Sequence, residues 1–149
     1  MIAVDTNILV YAHREDSEWH TAAAPAVARL AEGTAEWAIP WSCLHEFLAI
    51  VTHPRIFKTP TPPKLAFEQV EAWLESPSLV VLSENDDYFA ALQETALGAR
   101  VTGPRLHDAR VAALCVSHGV RELWTADRDF SLFASLKTRN PLAGKASKK

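Results

Sequence analysis

Acidic side chains stand at four places in this 149-residue chain where an apolar run ends or a helix begins. Ile2-Ala3-Val4 reads as a strand buried on both faces, and Asp5-Thr6-Asn7 closes it with a carboxylate and two hydrogen-bonding side chains. In an open parallel sheet, ligands bind at the carboxyl ends of the strands, which is where those groups would stand. Glu46 falls among Leu44, Phe47 and Leu48, early in a helical pattern that Ser42 opens. Asp108 precedes Ala109, Ala112, Ala113 and Val116, so it lies beside the apolar face of a helix in its first or second turn. Asp127 and Asp129 follow the short run Glu122-Leu123-Trp124-Thr125 and repeat the position of Asp5. Carboxylates brought to one cleft cannot all stay ionised unless a cation neutralises them. Hard oxygen donors without His or Cys favour Mg²⁺ or Mn²⁺ over zinc. Such an ion suits phosphodiester hydrolysis, because it lowers the pKa of a bound water, and a second ion about 4 Å away stabilises the leaving oxygen.

Each acid also has a purely structural use. Asp5 can cap the following helix, and Glu46 and Asp108 complement a helix dipole. Asp86 and Asp87, at the start of another helix, are given only that second use.

The elements that must position these groups alternate. Strands are expected at Ile2–Val4, Trp37–Pro40, Leu79–Leu82 and Glu122–Thr125, with helical patterns between them. Ser17 is expected to cap a helix that Pro25 kinks or splits. Thr61 is expected to cap another, with Pro62 in its first turn. Phe130, Leu132 and Phe133 are expected to pack the turn after the last strand, and the chain to fray from Lys137 onward. Alternating short strands and helices predict an α/β fold with a central parallel sheet and right-handed crossovers, which sets Asp5 and Asp127 at one edge of the sheet.

Length and composition predict one domain over residues 1–136, followed by a basic tail at 137–149 that is expected to be flexible. The net charge is −3, yet five of the fifteen basic residues fall in that tail, leaving ten against eighteen acids in the body. No apolar run approaches the roughly 20 residues that span a bilayer, and the N-terminus lacks a basic segment leading into an apolar one, so a cytoplasmic protein without membrane contact is expected. Cys43 and Cys115 lack the spacing of a zinc or redox pair and are expected in the core. The five glycines form neither a P-loop nor a Gly-x-Gly-x-x-Gly turn.

Taken together, Val4-Asp5-Thr6-Asn7, Leu44-His45-Glu46-Phe47, Leu106-His107-Asp108-Ala109 and Thr125-Ala126-Asp127-Arg128-Asp129-Phe130 resemble the four signatures of the PIN-domain nucleases, in order and spacing. The chain most resembles the VapC toxins of bacterial toxin-antitoxin pairs, from Met1 to about Phe133. The resemblance implies a Rossmann-like three-layer α/β/α fold and Mg²⁺- or Mn²⁺-dependent cleavage of RNA. It also implies a homodimer and inhibition by a VapB-like antitoxin. It assigns Asp5, Glu46 and Asp108 as metal-holding catalytic acids and Asp127 as the fourth, with Asp129 replacing or assisting it. Thr6, Asn7 and Thr125 would orient carboxylates or water.

RNA binding normally leaves a basic footprint, whereas this body is acidic. Arg55, Lys58, Arg105 and Arg128 are the candidate phosphate contacts, and Tyr11, Trp41 or Phe57 could stack an unpaired base. Three other functions fit parts of the pattern: a housekeeping or DNA-directed metal nuclease, a non-catalytic nucleic-acid-binding module, and a phosphoacceptor domain. The last lacks the Asp-x-Asp-x-Thr order around Asp5.

Overall fold

In the computed structural model, which describes residues 1–143, five strands form one parallel sheet in the order β3-β2-β1-β4-β5. The strands are β1 (Ile2–Val4), β2 (Trp37–Pro40), β3 (Leu79–Leu82), β4 (Glu122–Trp124) and β5 (Lys137–Arg139). Between β1 and β2 run α1 (Thr6–His13) and α2 (His20–Glu32), and between β2 and β3 run α3 (Trp41–Val51) and α4 (Pro63–Leu74). Helices α5 (Tyr88–Ala99) and α6 (Leu106–Ser117) lead from β3 back to β4.

The strand order explains the layers. From β1 the chain moves outward through β2 to β3, then returns past them to β4 and β5. Right-handed crossovers therefore put α1 to α4 on one face of the sheet and α5 and α6 on the other. The two directions part between β1 and β4, whose residues pair as Ala3 with Leu123 and Val4 with Trp124. A crevice opens at that switch point, beyond the carboxyl ends of both strands. The central strands are apolar because both faces are covered: Ala3, Val4, Trp37, Ala38, Ile39 and Leu123 are buried. Ile8, Leu9, Leu44 and Phe47 close one side and Leu114 the other, each side chain contributing about 1.5–3 kcal/mol by leaving water.

Several expectations change. Lys137–Arg139 does not fray: it pairs with Glu122–Trp124 as the fifth strand, and Leu142 beyond it is buried. Lys-Thr-Arg carries no apolar alternation because it is an edge strand, where basic residues discourage further pairing. The ordered domain thus extends past residue 136, while residues 144–149 of the expected tail lie outside the described chain. Pro25 does not split α2, which runs from His20 to Glu32 with Ala22, Ala23, Ala26 and Val27 buried. Ser17 does not cap that helix; its hydroxyl accepts from Trp19 N in the preceding turn. Thr61 is not a cap either, since Pro62 takes that position and the Thr61 hydroxyl meets His13 Nε2 at 3.0 Å and Arg14 Nη1 at 3.2 Å. Phe130 and Phe133 pack as expected, whereas Leu132 is exposed.

Candidate active site

Asp5 leaves β1 in an extended conformation, its N–H donating to the Trp124 carbonyl of the neighbouring strand, and α1 begins at the next residue. Its carboxylate is buried at 6% exposure and clamped from two sides. Oδ1 accepts from Thr6 N at 2.8 Å, so the capping use is real. Oδ2 accepts from the Thr125 hydroxyl at 2.8 Å, which ties the end of β1 to the end of β4. Thr125 Oγ1 in turn accepts from Asp127 N at 3.0 Å, and Thr125 N donates to the Arg139 carbonyl at 2.9 Å. Asn7 bridges the same strand ends: its Nδ2 lies 3.4 Å from Asp5 Oδ2 and 3.3 Å from Thr125 Oγ1, and its Oδ1 accepts from Ala126 N. Thr6, Asn7 and Thr125 thus all bond at the joined ends of β1 and β4.

The other acids come from separate elements and are linked to this clamp through their charges. Burial pushes Asp5 from its ordinary 3.8 up to about 6, against the hydrogen bonds from Thr125, Thr6 and Cys43, and the charge of Glu46 adds to the rise. Asp108, in the first turn of α6, is also raised, first by burial and then by the charge of Asp127, with Arg105 opposing and Asp129 and Glu46 adding. Glu46 is exposed rather than enclosed by its apolar neighbours. Leu44 and Phe47 turn into the core, and Glu46 lines a cleft with Thr6, Ser42, Cys43 and His107. Asp127 is half-buried, and its Oδ1 accepts from Asp129 N at 2.9 Å. Asp129 itself is exposed and pairs with Arg105, Oδ2 to Nη2 at 3.3 Å.

The arrangement fits a hard divalent cation by its donor set. Among the described residues, Asp5, Glu46, Asp108 and Asp127 make no ion pair with Lys or Arg. A carboxylate offers about four lone-pair positions; the bonds from Thr6 and Thr125 take two of those on Asp5, and the long contacts from Asn7 at 3.4 Å and Cys43 at 3.5 Å are the ones an ion would displace. In this arrangement no three His, Cys, Asp or Glu side chains among the described residues stand close enough to grip one ion together.

The candidate RNA contacts separate. Arg105 reaches the acidic cleft through Asp129, and Arg128 is exposed on the adjoining turn. Lys58 lines a different cleft with Tyr11, Arg14 and Trp19, and Arg55 is exposed on the same loop. Of the stacking candidates, Phe57 lies under the Arg14 guanidinium at 4.0 Å, Tyr11 is half-buried, and Trp41 is exposed.

Cys43 is a residue that sequence reasoning missed. It is buried as expected, but its Sγ lies 3.5 Å from Asp5 Oδ1, and the Thr6 hydroxyl donates to its carbonyl at 3.4 Å. Burial and the charge of Asp5 push its thiol well above the ordinary value, so it stays protonated and can donate. An apolar helical pattern carries no signal of this role. Cys115, pushed to about 12 mainly by burial, is a core residue.

Comparison with known proteins agrees with this geometry. Residues 2–136 match the PIN domain. The chain is 35% identical to Ribonuclease VapC43 of Mycobacterium tuberculosis over 97% of each chain, and 29% identical to Ribonuclease VapC48 of the same species over 94% of this chain and 97% of that one. Among solved structures, VapBC2 from Rickettsia felis bound to a promoter DNA fragment superposes with a TM-score of 0.69 at 19% identity, covering 94% of this chain and 98% of that one. Mycobacterium tuberculosis VapC20, a Sarcin-Ricin loop cleaving toxin, gives 0.68 at 17% identity, over 94% of this chain and all of that one. With the acids of all four signatures set around the β1–β4 crevice, the chain belongs to the PIN-domain family, among the VapC ribonucleases.

Proposed function

We propose that this protein is a toxin endoribonuclease that hydrolyses RNA phosphodiester bonds with Mg²⁺ or Mn²⁺ held by Asp5, Glu46, Asp108 and Asp127. The observation that carries the reading is the clamp on Asp5. The start of α1 and the end of β4 fix a buried carboxylate that feels the charge of Glu46, Asp108 feels both Glu46 and Asp127, and no Lys or Arg is paired to any of the four among the described residues. A divalent ion bound there supplies a water of lowered pKa and neutralises charge on the phosphate.

The chain's own residues do the positioning. Thr6 N and Thr125 Oγ1 fix the two oxygens of Asp5, and Asn7 fixes the Thr125–Ala126 backbone that carries Asp127. Asp127 rather than Asp129 is the fourth acid, because Asp129 is drawn outward by Arg105. That pair leaves Arg105 at the rim, where it can meet a substrate phosphate, with Arg128 beside it. Arg55 and Lys58 serve a different stretch of bound RNA or none. The same reading makes the protein a cytoplasmic homodimer held inactive by a VapB-like antitoxin, the last supported by its likeness to the VapBC2 structure. No helix among the described residues is long and apolar enough to cross a membrane.

The test is cleavage of total RNA by the purified chain, free of any co-purified protein, in Mg²⁺ or Mn²⁺ against EDTA, with Asp108→Asn alongside. Metal-dependent cutting is expected, and the variant should be inactive while melting no lower than the parent. Undiminished cutting in EDTA, or by the variant, would overturn the assignment.

A further inference from the structure

An acidic body must grip RNA by something other than a broad basic surface, and the cleft between α3 and α6 offers another means. It holds about 600 Å³, within the roughly 300–1,000 Å³ range of small-molecule sites. Because Thr6 and Glu46 line it, it opens directly off the acidic centre. Its α3 wall carries Trp41 and His45, and its α6 wall carries His107 and Arg110. Trp41 is 48% exposed, although a tryptophan in the first turn of a helix has ample apolar reason to be covered. The Arg110 guanidinium is fixed from outside by Glu84, Nη2 to Oε2 at 3.0 Å. Aromatic rings, imidazoles and guanidinium planes are the surfaces on which proteins stack unpaired bases.

A second observation points the same way. Among the described residues, Ser42 Oγ is the buried side-chain polar atom left without a hydrogen-bond partner, and Ser42 lines this cleft. Buried hydroxyls in folded proteins are nearly always paired, and although Ser42 Oγ is closed off from solvent where it stands, a turn about its Cα–Cβ bond to another staggered position would present it to the cleft. A hydroxyl both donates and accepts, and a base edge offers either.

We propose that this cleft is a nucleobase subsite: it takes one unpaired base of the nucleotide beside the scissile phosphate, stacked on Trp41, with the Ser42 hydroxyl on its edge and His107 and Arg110 across from it. The phosphate then lies over Glu46 and Asp5 while its base is swung aside, so the enzyme selects single-stranded positions by stacking instead of by charge. This rests on the ribonuclease reading above and adds where the substrate's base goes.

The test uses the Asp108→Asn protein in Mg²⁺, so that RNA binds without being cut, with oligoadenylate and a same-length abasic ribose-phosphate strand as probes. Oligoadenylate should quench tryptophan emission and bind at least about tenfold tighter than the abasic strand. Trp41→Ala should remove the quench and cost about tenfold in affinity, Trp41→Phe should restore affinity to within about threefold, and His107→Ala on the opposite wall should weaken it several-fold. Melting curves check that each variant is folded; if Trp41→Ala is not, Trp41→Phe and His107→Ala decide. Equal binding of the two strands, or unchanged affinity in folded Trp41→Ala, overturns the subsite. So does a halved mass of Trp41→Ala by light scattering, which would make this face a contact between copies of the chain. Cleavage by the unsubstituted protein reads the ribonuclease assignment separately: cutting with a KM that Trp41→Ala does not raise removes the subsite alone.

Discussion

Replacing Asp5 by Asn should stabilise the metal-free protein at neutral pH while abolishing cleavage, and the size of the gain follows from its burial. The carboxyl titrates at about 6 in the fold against 3.8 ordinarily, which at about 1.4 kcal/mol per pH unit is a penalty of roughly 3 kcal/mol for holding it ionised. Its folded pKa is raised, so this penalty is absent below pH 3.8, grows as pH rises toward 6, and is complete above it. Asn removes the charge but also converts one acceptor oxygen into a donor. Thr6 N keeps its partner at Oδ1, whereas the amide NH₂ meets a Thr125 oxygen that already accepts from Asp127 N, a loss of about 1 kcal/mol. The net gain at pH 7.5 is about 2 kcal/mol, or roughly 6 °C in Tm for a chain of this size. At pH 4 the sign reverses and the variant melts slightly lower. The assay is thermal unfolding of both proteins in EDTA from pH 4 to 8, followed by addition of Mg²⁺, which should raise the Tm of the parent and leave the variant unmoved. A Tm difference independent of pH, or a variant less stable at pH 7.5, would refute the electrostatic account of the buried carboxylate.

Thr125→Val keeps the shape of the side chain but takes the donor from Asp5 Oδ2 and the acceptor from Asp127 N and Asn7. Denaturant unfolding should register a loss of about 2 kcal/mol, and cleavage should fall about 10- to 100-fold, as when a supporting partner is lost around a metal ligand. Ending the chain after Leu136 removes β5 and the Arg139 carbonyl that accepts from Thr125 N, so the shortened protein should melt well below the intact one and lose cleavage. Leu142→Ala, a cavity at a 1% exposed position, isolates the packing part of that effect at about 3 kcal/mol.

What could be read from the residues alone was whatever local pattern dictates. Ile2–Val4, Trp37–Pro40 and Leu79–Leu82 have no polar member, so their strands and bounds were legible, and Asp5 after the first of them, with Asp127 after Glu122–Thr125, marked the crevice. The unread parts depend on partners far along the chain. Lys-Thr-Arg becomes a strand only because β4 supplies a neighbouring edge. Thr61 leaves the cap position because His13 and Arg14, some 48 residues earlier, engage its hydroxyl. Glu46 stands among apolar neighbours in sequence, which left a helix dipole and the cleft of Asp5 both open for it, and only the turn of the helix, with Leu44 and Phe47 inward, shows it exposed on the cleft. Cys43 looked like any small core residue, since its contact with Asp5 spans 38 positions.

The clamp on Asp5 also has a meaning for synthesis. Asp5 leaves the ribosome long before the hydroxyl that fixes it, which follows 120 positions later, and the carbonyl that anchors that threonine's backbone comes later still, at Arg139. Parallel pairing between β1 and β4 cannot form before then, whatever the intervening helices have done. A nascent chain that stops short of Thr125 carries the acids of up to three signatures, Asp5, Glu46 and Asp108, without the geometry that would make them a nuclease. Translation therefore adds the 120 positions between the two residues beside a large mass of RNA before the site is able to attack any of it.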